Sequence, residues 1–127
     1  MQTLANPRFQ PLHQSRTTPL NLIFLGDSLV YGFGDPEGGG WVERLRRKWM
    51  SPDSPGHVVY NLGIRGNGVK QVQERFEHEF HSRGELKNRT PDAIIFSVGV
   101  NDSARLGRPD GRNYTDFGTF QGELATL

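Results

Sequence analysis

A chain of 127 residues has room for one compact domain rather than two. Its 15 Lys and Arg against 14 Asp and Glu leave it almost neutral, so charge makes no case for nucleic acid or an anionic membrane surface. With no cysteine, disulfides, thiolate metal sites and a cysteine nucleophile are excluded together.

Residues 1–19 read as a flexible N-terminal tail. They are polar, show no periodicity and carry Pro7, Pro11 and Pro19. They also lack the apolar centre of a signal peptide. No apolar run approaches the roughly 18 residues a membrane-spanning helix needs, so a soluble cytoplasmic protein is the default expectation. Residues 20–127 form the expected domain. Leu20 to Leu25 is a short, nearly continuous apolar run ending at Gly26, the pattern of a strand covered on both faces. Residues 29–40 read as glycine-rich loop. From Trp41 to Met50, Trp41, Val42, Leu45 and Trp49 recur at helical spacing with Arg44, Arg46, Arg47 and Lys48 opposite, which predicts an amphipathic helix.

The segment 51–56 breaks that helix, and His57 to Leu62 is a second strand candidate. A second glycine-rich loop, Gly63 to Gly68, leads into a helix over Val69 to His81 with Val69, Val72, Phe76 and Phe80 on one face. Pro91 and Asp92 introduce a third strand, Ala93 to Val98, which stops at Gly99. A polar loop from Asn101 to Thr115 precedes a helical start at Asp116 to Leu127, with Phe117, Phe120, Leu124 and Leu127 expected inward. Strand, loop and helix three times over predicts a parallel sheet with helices on both faces.

In such a sheet, chemistry collects where the strands' carboxyl ends open into loops. After the first strand comes Gly26-Asp27-Ser28-Leu29, after the second Asn61 through Asn67, and after the third Gly99-Val100-Asn101-Asp102. Each is weak alone. A serine in that place is more often a helix cap or turn residue, and glycine clusters and Asn-Asp pairs are common turn chemistry. Together they supply the parts of one mechanism: a hydroxyl nucleophile, a glycine backbone N–H and an asparagine amide as oxyanion donors. A phosphate-loop pattern, a dinucleotide-binding glycine pattern, an α/β-hydrolase Gly-x-Ser-x-Gly elbow and metal-ligand spacing are all absent.

The three blocks, in this order and context, resemble the GDSL/SGNH family of serine esterases and lipases over roughly residues 20–103. Gly26 to Leu29 matches the string that names the family, Asn61 to Gly66 its second block and Gly99 to Asp102 its third. The resemblance implies a three-layer α/β/α, flavodoxin-like fold with a mainly parallel sheet. It implies an esterase acting on acyl or acetyl esters of small molecules through an acyl-serine, with no cofactor and no metal. Ser28 would be the nucleophile, with the N–H of Ser28, the N–H of Gly66 and the amide of Asn101 as oxyanion donors. Gly63 reads as a turn residue, and Asp27 and Asp102 as loop-ordering residues. Trp41 and Tyr31 are candidates to line a pocket, with core packing the commoner role for Trp41.

The sequence departs from the family at its other end. The late Asp-x-x-His that activates the serine is missing, and His13, His57, His78 and His81 all stand in unsuitable places. The chain therefore reads as an N-terminal portion of the domain, its sheet incomplete at the C-terminal end and its third strand left at an edge. A non-catalytic flavodoxin-like module binding a ligand or partner at the same loops is the rival reading.

Overall fold

The computed structural model describes residues 19–50, 52, 56–84 and 90–127; all but the last residue of the expected tail lies outside them. In chain order the elements are β1 (Asn21–Gly26), α1 (Ser28–Tyr31), α2 (Trp41–Trp49), β2 (Val58–Gly63), α3 (Val69–Ser82), β3 (Ala93–Ser97) and α4 (Phe117–Ala125). The expected strands and long helices therefore form within a residue or so of their predicted bounds.

Apolar content on both sides sends β1 to the middle. It pairs in parallel with β2 on one side and β3 on the other, giving the order β2-β1-β3. Its side chains alternate, as the strand period demands. Leu22 and Phe24 join Val30, Val42 and Val59 on one face, while Ile23 and Leu25 join Val72 on the other. Helices α1 and α2 cover the first face and α3 the second. The architecture is thus a three-layer α/β/α sandwich with a parallel sheet, as the sequence predicts. Among the described residues β2 and β3 each pair on one side only, so the sheet is open at both edges.

The chain passes from β2 across β1 to β3, which reverses the direction of winding. In sheets of this kind the reversal leaves a crevice outside the strands' carboxyl ends, where ligands bind. The register puts those ends in one row, with Gly26 opposite both Gly63 and Ser97.

Two expectations need correction. Residues 29–40 are not loop throughout, because Ser28–Tyr31 makes one helical turn that the Asp27 carboxylate caps through the Leu29 N–H at 2.9 Å. The inward face expected for α4 is also wrong in half its members. Phe120 and Leu127 are half-buried, but Phe117 is 77% exposed and Leu124 46% exposed. Helix α4 packs chiefly against α3. A helix that meets the body along one neighbour buries a narrow stripe rather than a broad face.

The loop between α1 and α2 is organised by Asp35. Its carboxylate accepts from the N–H groups of Gly38 (2.9 Å) and Gly40 (3.0 Å) and from Arg44 in a two-pronged pair at 2.8 and 3.0 Å. The Arg44 guanidinium, followed by the Gly38 amide, holds this carboxyl well below the ordinary value of 3.8.

Two measurements test this account. Leu25→Ala should cost about 2–5 kcal/mol in urea unfolding, whereas Phe117→Ala should stay within about 0.5 kcal/mol of the parent. A carboxyl whose pKa falls on folding stabilises the fold fully above its unfolded value and loses that effect as pH drops toward its folded value. The urea midpoint should therefore decline below about pH 4, and Asp35→Asn should flatten that decline.

Candidate active site

Ser28 stands one residue beyond the capping Asp27, at the first position of α1. The cap is complete without it: Asp27 Oδ1 takes the Leu29 N–H, and the Asp27 carbonyl takes that of Tyr31 at 3.0 Å. Ser28 is half-buried, and neither its hydroxyl nor its N–H is bonded to another described residue. The common role of a serine at a helix start, accepting from the backbone, has passed to its neighbour.

The second loop is fastened to the first. Asn61 donates from Nδ2 to the Val30 carbonyl at 2.7 Å and accepts the Gly63 N–H at 3.0 Å. The Ile64 N–H reaches the Gly26 carbonyl at 3.0 Å. Gly63 is not a turn residue, contrary to expectation: it is the last residue of β2. Its lack of a side chain allows close approach, since a Cβ there would lie 2.2 Å from the Tyr31 nitrogen and 2.8 Å from the Asp27 oxygen. Gly66 is different. Its φ of +85° lies in the left-handed region, open space surrounds it, and its N–H makes no bond to a described residue.

The third loop closes on the second. Asn101 donates from Nδ2 to the Asn67 carbonyl at 2.9 Å, which leaves the other proton of that amide unassigned. Asp102 is buried and occupied: Oδ2 accepts the Val69 N–H at 2.9 Å and Oδ1 the Thr115 hydroxyl at 2.7 Å. Its charge sits at the N-terminus of α3, where the helix dipole favours an anion. Ser28, Gly66 and Asn101 thus lie on three interlocked loops at one edge of the sheet. A depression of about 170 Å3 lies between Gly99, Thr115 and Phe120; Ser28 is not among its walls.

Sequence reasoning passed over Arg75. From α3 its guanidinium donates to the Gly26 carbonyl (3.1 Å), the Leu62 carbonyl (2.8 Å) and Asn67 Oδ1 (2.9 Å). Burial pushes its pKa down from the ordinary value, with Glu79 acting in the opposite direction. The signal was available: an arginine three residues after Val72 interrupts the apolar side of an otherwise regular helix.

None of the described histidines approaches Ser28 through any hydrogen bond. His57 accepts the Leu20 N–H at Nδ1 (3.0 Å) and meets the Trp49 ring edge-on, at the amino end of the sheet. His78 and His81 are exposed on α3, and His13 lies outside the described residues. Tyr31 is exposed, whereas Trp41, also exposed, sets its ring edge-on against Phe24 at 5.6 Å. Among the described residues no His, Asp and Glu group could hold a metal, and no helix is long and apolar enough to cross a membrane.

The family model for GDSL-like lipases and acylhydrolases matches residues 24–125. The chain belongs to this family. It is 29% identical over 101 residues to the uncharacterized protein YpmR of Bacillus subtilis, covering 78% of this chain and 38% of YpmR. Among solved structures, AlinE4, an SGNH-hydrolase family esterase, superposes with a TM-score of 0.53 at 23% identity, covering 66% of this chain and 42% of AlinE4. A variant of Axe2, an acetyl xylan esterase of Geobacillus stearothermophilus, gives a TM-score of 0.50 at 26% identity, covering 69% and 43%. This chain therefore spans about two fifths of the length of the relatives it matches. The catalytic mutants of Axe2 replace a serine, an aspartate and a histidine.

The packing of Gly63 against α1 can be tested directly. Gly63→Ala must push the Tyr31 backbone away and should cost about 1–3 kcal/mol in urea unfolding, whereas Gly122→Ala, in open space within a helix, should leave stability equal or slightly raised.

Proposed function

We propose that this chain carries the nucleophile and oxyanion-binding half of an ester hydrolase that acts on acyl or acetyl esters of small molecules. Ser28 Oγ attacks the ester carbonyl carbon and gives its proton to a base. The carbonyl oxygen becomes an oxyanion held by the N–H groups of Ser28 and Gly66 and the free proton of the Asn101 amide. Collapse expels the alcohol, which takes up a proton, and water then releases the acid from the acyl-serine. The observation that carries this reading is the spare hydroxyl of Ser28: Asp27 does the capping, and among the described residues the serine hydroxyl has no hydrogen-bond partner.

The described residues offer no histidine to act as the base, and we assign it to sequence outside them, in keeping with the greater length of the relatives. Axe2, whose catalytic mutants include an aspartate and a histidine, supports that division of parts. Without a base a serine hydroxyl is almost wholly protonated at neutral pH. The 127-residue chain should accordingly turn over p-nitrophenyl acetate little or not at all.

A fluorophosphonate probe at high concentration tests the assignment. It should label the chain slowly at one site, and Ser28→Ala should abolish labelling. Asn101→Ala should slow it about a hundredfold, the cost of one oxyanion donor. Labelling that survives Ser28→Ala would overturn the reading. A folded parent chain that never labels would favour the non-catalytic binding module, for which the missing histidine is the specific argument.

A further inference from the structure

Arg75 makes no hydrogen bond to Ser28, yet it meets the base of two loops at once. The carbonyls of Gly26 and Leu62 lie at the carboxyl ends of β1 and β2, Gly26 being the last residue of its strand and Leu62 the last but one, and the Gly26 carbonyl also accepts the Ile64 N–H at 3.0 Å. One Nη2 serves both carbonyls, at 3.1 and 2.8 Å. The Nε proton goes to Asn67 Oδ1 at 2.9 Å, and the carbonyl of the same Asn67 receives Asn101 Nδ2 at 2.9 Å. Asn67 is 9% exposed and directly follows Gly66.

The cost of this arrangement argues that it does more than fill space. Arg75 is half-buried, and a guanidinium so placed gives up part of its hydration with no ion pair to a described carboxylate in return. Its Nη1 is buried without a partner among the described residues. The planar fork of arginine spans three acceptors in fixed directions, which the single ammonium of lysine does not reproduce.

We propose that Arg75 is the positioning residue of the site: through Asn67 its guanidinium orients both the Gly66 N–H and the Asn101 amide. This rests on the reading of those two groups as oxyanion donors. The link is a relay of three groups, from the guanidinium to the Asn67 side chain, and from the Asn67 carbonyl to the Asn101 amide. Breaking it at Asn67 leaves the bonds of Arg75 to the strand ends intact, which separates positioning from folding.

The test uses the whole chain, 15N-labelled, with Arg75→Lys, Arg75→Met and Asn67→Ala. In each variant that folds, the Gly66 amide and Asn101 side-chain resonances should shift and exchange faster with solvent. Asn67→Ala should lower the urea midpoint less than Arg75→Met does and label with fluorophosphonate about tenfold more slowly, the effect of one charge-assisted hydrogen bond. Arg75→Lys should not restore the parent spectrum. Unchanged Gly66 and Asn101 resonances in Asn67→Ala would overturn the proposal, even if Arg75→Met fails to fold. A parent chain that does not label at Ser28 would instead remove the catalytic reading, and the resonances would still decide whether Arg75 orients these groups.

Discussion

Everything in this chain hangs on the burial of one strand. β1 lies between two parallel neighbours and two layers of helix, with Ile23 and Leu25 wholly removed from solvent. A strand in that position must carry apolar side chains on both faces, and its backbone must find all its partners inside the sheet. Where it ends, the obligation does not end with it. The Gly26 carbonyl is met by the Ile64 N–H and by Arg75, which reach it from the second loop and from α3. The edge at which Ser28 emerges is therefore built from groups recruited to finish a buried strand.

The loops that follow share out their polar work in a consistent way. Asp27 caps α1, Asn61 ties β2 to the carbonyl of Val30, and Asp102 caps α3 from the far side of the sheet. Each of these side chains is bonded to backbone in a neighbouring element or turn. Among the described residues the Ser28 hydroxyl and N–H, the Gly66 N–H and one proton of Asn101 have no hydrogen-bond partner, and these are groups the proposed chemistry needs. Buried polar residues with every bond made hold shape, and it is their unengaged neighbours that can meet a substrate.

Much of this was legible in the sequence because it depends on short-range pattern. The apolar run from Leu22 to Leu25, the helical spacing of Val69, Val72, Phe76 and Phe80, and the glycine-bounded loops each announce themselves within a few residues. The failures are of another kind. Phe117 carries the same apolar signal as Phe120, and only the placement of α4 beside α3 decides which of the two is covered. Gly63 looks like turn chemistry, and its reason for being glycine lies in Tyr31, thirty-two positions away in the chain. Arg75 shows in the sequence as a charge breaking into the apolar side of its helix, but its three acceptors, drawn from two strands and a loop, do not. Whatever depends on partners distant in sequence is hidden from a reading that sees only neighbours.

The Asp102 carboxylate joins the third loop to the first amide of α3 and also holds Thr115, at the far end of the long polar loop. Helix and loop are thereby pinned to a common point. Helix α3 thus carries both ties at the crevice edge: its first amide meets Asp102 of the third loop, and its Arg75 meets the ends of β1 and β2 and Asn67 of the second loop. A substitution that displaced α3 would therefore strain the third loop and the two strand ends together.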